Sequence, residues 1–279
     1  MSNKLTFIDH SRKFRNFRYI YPVLSRRAEG ISIGVNLNIN NACNWRCIYC
    51  QVDGLIRGKP LNIELDKLEY ELDTLLEEMV VNNSIKDYAP DSLARINDIS
   101  ISGNGEPTLS EDFFNVCSII VKLKAKYRLE QIKIILISNG SNMKGSNVKL
   151  GLNLINKHNG QIWFKIDSVT DIGINQINQV NLSPQQILNN LVFASNICPT
   201  WIQSCFVIID NKLPSDGEIN LYIEFLSQVK DLIKGVLLYT IARPPMLVEG
   251  SKLKPVEISF LQSIALKLQK YNIIVKFYA

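Results

Sequence analysis

Residues 31–50 read ISIGVNLNINNACNWRCIYC, a β-branched run followed at once by a polar loop that carries three cysteines. The run 31–39 predicts a buried strand, and the loop 40–50 follows the end of that strand. In parallel α/β barrels the active residues lie at the carboxyl ends of strands and in the loops after them. This stretch therefore predicts an element of a parallel sheet and the position of a reactive site.

The same alternation of short β-branched runs and amphipathic stretches extends along the chain. Further strands are predicted at 97–103, 131–138, 161–167, 201–209, 235–241 and 272–277. Helices are predicted at 62–81, 110–127, 142–157, 183–196, 216–233 and 255–270. Alternating strands and helices favour βαβ units, so the predicted fold is α/β, a partial (βα)6-type TIM-like barrel. A doubly wound open sheet is the alternative.

Length and composition predict one folded domain with a short lead-in. The chain has 279 residues, of which 46% are hydrophobic and 20% charged, and its net charge is +5. An α/β barrel of about 250 residues is a single domain, so we expect a barrel at 29–279 and a basic lead-in at 1–28. No window approaches a membrane span and the N-terminus lacks an apolar signal core, so a cytoplasmic protein without membrane contact is expected.

Cys43, Cys47 and Cys50 have a C-x3-C-x2-C spacing, which predicts a metal centre. In a reducing compartment, clustered cysteines indicate metal binding or catalysis rather than disulfides. Closed zinc sites usually combine two C-x2-C units, and no second one is present. Three thiolates therefore favour a 4Fe–4S cluster with one iron left open. Zinc and three buried structural cysteines are the alternatives. The remaining cysteines are scattered, at Cys117, Cys198 and Cys205.

The cysteine loop resembles the cluster loop of the radical S-adenosylmethionine (SAM) superfamily, including the aromatic Tyr49 before the third cysteine. Further motifs resemble one subgroup, the proteins related to wyosine-type tRNA-modifying enzymes, many of which have no assigned substrate. The motifs are, in order, PVLSRR at 22–27, SIGVNL at 32–37, CNWRCIYCQ at 43–51, SGNGEPTL at 102–109, SNG at 138–140, WFKID at 163–167, Gln203 and RPP at 243–245.

The resemblance implies a radical SAM enzyme in which Cys43, Cys47 and Cys50 ligate a 4Fe–4S cluster and SAM chelates its fourth iron. One electron from the cluster would cleave SAM to methionine and a 5′-deoxyadenosyl radical, which abstracts hydrogen from the substrate. An external electron donor of the flavodoxin or ferredoxin type is implied as partner. RNA modification, with tRNA as partner, is favoured by the relatives and the basic charge, ahead of a small molecule or a partner protein.

The loop after the second strand is predicted to lie beside the SAM methionine group, because glycines let backbone approach a ligand closely. Its residues are Gly103, Asn104, Gly105 and Glu106. Glu106 precedes a proline, so its backbone is extended and its side chain is expected to project from the loop. The alternative is a solvated glutamate in a turn. By analogy, Tyr49 would lie near the adenine.

Lys165 and Asp167 lie two residues apart on the fourth predicted strand, so they share a face. Buried charges need a partner, and these two are predicted either to contact the ribose or carboxylate of SAM or to form a mutual ion pair. Asn139, Gln203 and Arg243 are further predicted SAM-binding residues at the same rim.

Departures from the family narrow the expected activity. Wyosine-type synthases carry a second cluster on cysteines upstream of the radical SAM loop, and no cysteine precedes Cys43 in this sequence. This argues against that specific activity and for a single cluster. Activators of glycyl-radical enzymes also use one cluster, but no further feature indicates that role. A non-catalytic iron–sulfur or zinc-binding module, binding nucleic acid, is the alternative class, and the glycine–glutamate loop argues against it.

The stretch 12–19, RKFRNFRY, interleaves basic and aromatic residues, as single-stranded nucleic-acid contacts often do. The interpretation that we prefer is a segment that covers the barrel and keeps its charges solvated. Arg26 and Arg27 match the family motif and are predicted at the active-site end.

Overall fold

One eight-stranded sheet organises the chain, in a computed structural model that describes residues 4–6, 12–25 and 29–278. The strands are β1 (Ile20–Ser25), β2 (Gly30–Val35), β3 (Ala42–Cys43), β4 (Ile56–Arg57), β5 (Ile96–Ile101), β6 (Lys133–Ser138), β7 (Gly160–Lys165), β8 (Thr200–Cys205), β9 (Val207–Ile209), β10 (Gly235–Tyr239), β11 (Leu253–Pro255) and β12 (Val275–Tyr278). The helices are α1 (Leu65–Leu76), α2 (Ile85–Tyr88), α3 (Phe113–Lys126), α4 (Ser146–Asn156), α5 (Asp171–Asn178), α6 (Pro184–Ser195), α7 (Asp216–Gln228) and α8 (Ile258–Gln269). The predicted site residues Arg26 and Arg27 lie outside the described residues.

The order of strands in the sheet distinguishes the two predicted architectures. The sheet runs β1-β2-β5-β6-β7-β8-β10-β12, and every pair from β2 to β12 is parallel. A doubly wound sheet reverses its order at a switch point, whereas here the strands follow chain order throughout. Among the described strands, β1 and β12 are the two edges, so the barrel is open. The predicted partial α/β barrel is confirmed.

Each predicted strand and helix corresponds to an observed element, and the short elements β3, β4, β11 and α2 were not predicted. The predicted strand 201–209 ends at Cys205, and β9 pairs antiparallel with β11 outside the main sheet. β1 was not among the predicted strands. It pairs antiparallel with β2 and adds an edge to the sheet within the range assigned to the lead-in. The polar helix α5 was also unpredicted, and the Thr170 hydroxyl caps it by accepting from the N–H of Gly173.

Alternating residues of the strands separate the core from the site. One set packs under the helices and is fully buried, for example Ile33, Ile99 and Leu136, against Leu68 and Leu72 of α1. The other set faces the interior of the half-barrel, because successive strand residues point to opposite faces. No helix in the described ranges is both long and apolar enough to cross a membrane.

Candidate functional site

A cavity of about 360 Å³ lies between the inner face of the sheet and the loops after its strands. Nearly all predicted site residues line it: Cys43, Cys47, Tyr49, Cys50, Gly103, Asn104, Gly105, Glu106, Asn139, Lys165, Gln203 and Arg243. Asp167 is the exception, because it does not line this cavity. The motifs that are far apart in sequence therefore converge on one space, as expected for the carboxyl end of a parallel barrel.

Backbone hydrogen bonds hold the cysteine loop at both ends and in the middle. Cys43 O accepts from Gly58 N at 3.1 Å, and Cys50 O accepts from Met246 N at 2.8 Å. In between, Arg46 N and Ile48 N donate to the carbonyl groups of the last two residues of α5. The unpredicted helix α5 is thus one of the supports of the loop.

The three loop cysteines are candidate ligands for a metal centre, and two of them are buried thiols. Burial raises the pKa of the Cys43 thiol to about 11 and of the Cys47 thiol to about 12, so a bound cation is needed to hold them as thiolates. Within the described ranges, no three His, Cys, Asp or Glu side chains are grouped to hold one metal ion. In a 4Fe–4S cluster each thiolate binds a different iron, which spreads the sulfur atoms apart. Three cysteine thiolates, each bound to a different iron, are a donor set that fits such a cluster.

Gly103 and Gly105 are packed against protein on the side where a Cβ would point. A Cβ on Gly103 would lie 2.1 Å from Asn36 Oδ1, and one on Gly105 would lie 2.0 Å from Ala42 O. Asn36 Oδ1 also accepts from the N–H of Asn104 at 3.0 Å. The glycines allow this loop to lie directly on the end of β2 and on the start of the cysteine loop.

Glu106 corrects the sequence expectation about its side chain. Its backbone is extended, as predicted, but its carboxylate turns inward and the residue is only 2% exposed. Oε1 accepts from the N–H and hydroxyl of Thr108 and the hydroxyl of Ser138, and Oε2 accepts from Asn139 N. Burial raises the pKa of Glu106, although the hydrogen bonds that its carboxylate accepts act to lower it. Glu106 neither projects from the loop nor is solvated, because buried donors of Thr108, Ser138 and Asn139 bind its carboxylate.

Lys165, Asp167 and Tyr49 form a buried network. Lys165 Nζ lies 3.7 Å from Asp167 Oδ2 and 4.6 Å from the centre of the Tyr49 ring. Tyr49 donates its hydroxyl to Asp167 Oδ2 at 2.5 Å. Burial lowers the pKa of Lys165, but Asp167, Tyr239, Cys47 and Cys205 together outweigh burial, and the pKa is raised well above 10.5. The predicted mutual ion pair is present, and Lys165 also lines the cavity.

Asp167 faces the protein rather than the cavity, which differs from its predicted contact with SAM. Oδ1 accepts from Cys205 N at 2.9 Å, and Oδ2 accepts from Asn178 Nδ2 at 2.7 Å as well as from Tyr49. Cys205 is the last residue of β8, so this hydrogen bond attaches Asp167 to the end of that strand. The side chains of Cys117, Cys198 and Cys205 are buried away from the cavity lining.

Several lining residues were missed from the sequence. On one wall, Ser32, Asp98 and Ser100 alternate with core residues of β2 and β5, and Ser32 donates to Asp98. On the opposite wall are the aromatic side chains Trp163, Tyr239 and Tyr278. The available signal was a polar or aromatic residue at alternate positions of these strands, although other strands place aliphatic residues such as Ile137 at the cavity.

The basic stretch 12–19 packs Phe14 and Phe17 against the core, and two of its arginines are paired with carboxylates rather than only solvated. Arg15 pairs with Glu78 at 2.7 Å, and Arg18 pairs with Glu64. Arg12 differs, because its Nη1 donates to Asn104 Oδ1 at 2.8 Å and its side chain lines the cavity.

Comparison of the sequence with known families and proteins gives short matches. No family model matches the chain. It is 30% identical to the GTPase Obg of Brachyspira hyodysenteriae over 132 residues, which are 46% of this chain and 16% of that protein. It is 22% identical to the UPF0026 protein slr1464 of Synechocystis sp. over 178 residues, 63% of this chain and 58% of that protein. The chain thus spans less than two thirds of either relative.

Comparison with solved structures gives matches across most of the chain. A radical SAM methyltransferase from Sphaerobacter thermophilus aligns with a TM-score of 0.61 at 10% identity, over 93% of this chain and 68% of that one. TYW1 with a lysine-pyruvate adduct bound aligns at 0.54 and 14% identity, over 87% and 74%. SuiB of Streptococcus suis bound to S-adenosylmethionine aligns at 0.54 and 12%, over 90% and 48%. The resemblance seen in the motifs is confirmed at the level of the fold: this chain has the partial barrel of the radical SAM enzymes.

Proposed function

We propose that this protein is a radical SAM enzyme with one 4Fe–4S cluster, held by Cys43, Cys47 and Cys50. The observation that carries the proposal is the convergence of the cysteine loop, the 103–106 loop and the Lys165 network on a single cavity. When bound, the cluster and SAM supply the chemistry, which is reductive cleavage of SAM to methionine and a 5′-deoxyadenosyl radical that abstracts hydrogen. The protein supplies binding and orientation.

The residues around the cavity divide the binding of SAM between them. Lys165 is the proposed cation for the carboxylate of SAM, and the loop from Gly103 to Glu106 offers backbone to its methionine group. Tyr49 offers an aromatic face for the adenine, and Asp167 holds Tyr49 and Lys165 in place from behind. Asn139, Gln203 and Arg243 are proposed as further contacts along the same wall. These assignments rest on the charged, polar and aromatic side chains that line the cavity.

We assign the docking of the external electron donor to the segment 56–59. β4 pairs with β3, and Gly58 donates to the carbonyl of Cys43 at 3.1 Å, so this segment is hydrogen-bonded to a proposed cluster ligand. Ile56, Arg57 and Lys59 are exposed. A donor of the flavodoxin or ferredoxin type with an acidic surface would complement Arg57 and Lys59 and would come close to Cys43.

RNA modification, with tRNA as partner, is the substrate class we propose. The net charge of +5 and the position of Arg12 at the cavity favour an anionic substrate. Arg15 and Arg18 contribute less, because carboxylates already pair with them. Binding of tRNA that weakens with salt and with Arg12→Ala would support this class. Salt-insensitive or absent binding would instead indicate a small substrate.

One experiment tests the reaction. The cluster is reconstituted anaerobically and reduced with dithionite, SAM is added and 5′-deoxyadenosine is measured. We expect uptake of iron and sulfide with formation of 5′-deoxyadenosine, and loss of both in Cys43→Ala. Zinc in place of iron, without 5′-deoxyadenosine, would refute the proposal and favour a non-catalytic binding module.

A further inference from the structure

Asn178, the last residue of α5, donates a hydrogen bond to the sulfur of a proposed cluster ligand. Its Nδ2 lies 3.3 Å from Cys47 Sγ and 2.7 Å from Asp167 Oδ2. The residue is 2% exposed. A carboxylate oxygen can only accept, so the contact with Asp167 requires the amide nitrogen on that side. The two amide hydrogens then match the two acceptors, sulfur and carboxylate.

The backbone fixes the direction of this side chain. Asn178 O accepts from Arg46 N, and Ile177 O accepts from Ile48 N, so the helix end and the cysteine loop form one unit. Gln179 caps the helix after Asn178, with a left-handed backbone at φ of 51° and an N–H that donates to Asn175 O. The amide of Asn178 is therefore held at the sulfur by the same contacts that support the loop.

A donor at a ligand sulfur affects the redox balance of an iron–sulfur cluster. The reduced cluster carries one more negative charge than the oxidised cluster, so a positive N–H dipole stabilises the reduced form more. Hydrogen bonds to cluster sulfurs and the outer partners of ligands are among the features by which proteins set cluster potentials. On the basis of the proposed function, we propose that Asn178 is a positioning residue that raises the reduction potential of the cluster through its bond to Cys47.

The test is the midpoint potential of the reconstituted cluster, measured without SAM by an anaerobic redox titration followed by electron paramagnetic resonance. Asn178→Leu keeps the size of the side chain and removes the donor. We expect the ratio of reduced to oxidised cluster at a fixed potential to fall roughly tenfold, which is 59 mV for a one-electron couple. Asn175→Leu changes an exposed residue one turn earlier on the same helix and should leave the potential unchanged.

A further variant separates the bond to sulfur from the bond to Asp167. Tyr49→Phe removes a different donor from Asp167 and leaves Asn178 in place. A shift in Asn178→Leu well beyond that in Tyr49→Phe supports the direct bond to Cys47, and equal shifts would overturn it. Where the leucine variant does not load, Asn178→Ala replaces it, because it removes the donor without adding a charge, and the same negative shift is expected.

The outcome for the unmodified chain distinguishes this inference from the proposed function. A chain that takes up no iron and sulfide refutes the proposed function and this inference with it. A loaded chain whose Asn178 variants keep the original potential refutes the role of Asn178 alone.

Discussion

Glu106 Oε2 accepts a hydrogen bond from the backbone N–H of Asn139 at 2.6 Å, and this bond joins two neighbouring loops of the rim. The other carboxylate oxygen accepts from Thr108 and from the hydroxyl of Ser138. One buried side chain therefore fixes the loop after β5 to the end of β6. Because the 103–106 loop is the proposed contact for SAM, the clamp links the stability of the rim to ligand binding.

Replacing Glu106 with glutamine should destabilise the protein and weaken SAM binding. In either orientation, the new NH2 group faces a backbone N–H, of Thr108 or of Asn139, that cannot accept. An unsatisfied buried polar group costs about 1–3 kcal/mol. Urea denaturation measures the loss, and Glu111→Gln in an exposed position nearby is the control. Equal free energies of unfolding for the two variants would contradict the clamp.

The sequence predicted the barrel because its strands and helices alternate with strong patterns. It missed α5, which has only eight residues and carries Gly173 and two asparagines, residues that are unfavourable within helices. It also missed β1, which pairs antiparallel with β2, the next strand in the sequence, and so departs from the parallel pattern of the other strands of the sheet. Both elements become recognisable only when the sheet is assembled.

The site likewise has one part that the sequence predicted and another part that it did not. The cysteines and the 103–106 loop were predicted because each motif is local. The contact of Asn178 with Cys47 joins residues 131 positions apart, and that of Arg12 with Asn104 joins residues 92 apart. The inward turn of Glu106 depends on donors from β6, 32 or 33 positions away. No pattern within a short window encodes such contacts.

Lys165→Met tests which of the two predicted roles of Lys165 matters for binding. If its Nζ holds the carboxylate of SAM, affinity measured by isothermal titration calorimetry should fall about tenfold, or 1.4 kcal/mol. The fold should persist, because Asp167 keeps three hydrogen-bond donors: Tyr49, Asn178 and the N–H of Cys205. Unchanged affinity with reduced stability would mean that Lys165 serves only the ion pair. Lys270→Met, at an exposed position, is the control for loss of charge.

Charge reversal at Arg57 and Lys59 should slow reduction by a protein donor and spare reduction by dithionite. The double variant Arg57→Glu and Lys59→Glu opposes an acidic partner, and rim charges act mainly on the association rate. Formation of 5′-deoxyadenosine should fall about tenfold with flavodoxin, and the defect should shrink as salt screens the contact. Lys254→Glu, on β11, is the matched control. An equal loss with dithionite would show damage to the cluster loop instead, since Arg57 also donates to the carbonyl groups of Asn44 and Gln179.

The stability of the protein should depend on pH through a buried lysine of α3. Lys124 Nζ donates to the carbonyl groups of Ile132 and His158, and burial lowers the pKa of Lys124 from 10.5 to about 8. Between these two values the unfolded chain binds more protons at this group than the folded chain. The contribution of Lys124 to the free energy of unfolding therefore rises with pH across that window.

Comparison with Lys124→Met isolates this contribution. The free energy of unfolding is measured by urea denaturation at several pH values from 8 to 10.5. The value for the unmodified chain minus the value for the variant should rise with pH. Lys149→Met, at an exposed position on α4, is the control for the loss of a lysine charge. A constant difference for Lys124→Met would contradict a lowered pKa. It would mean that the carbonyl groups of Ile132 and His158 hold the proton on Lys124 as firmly as water does.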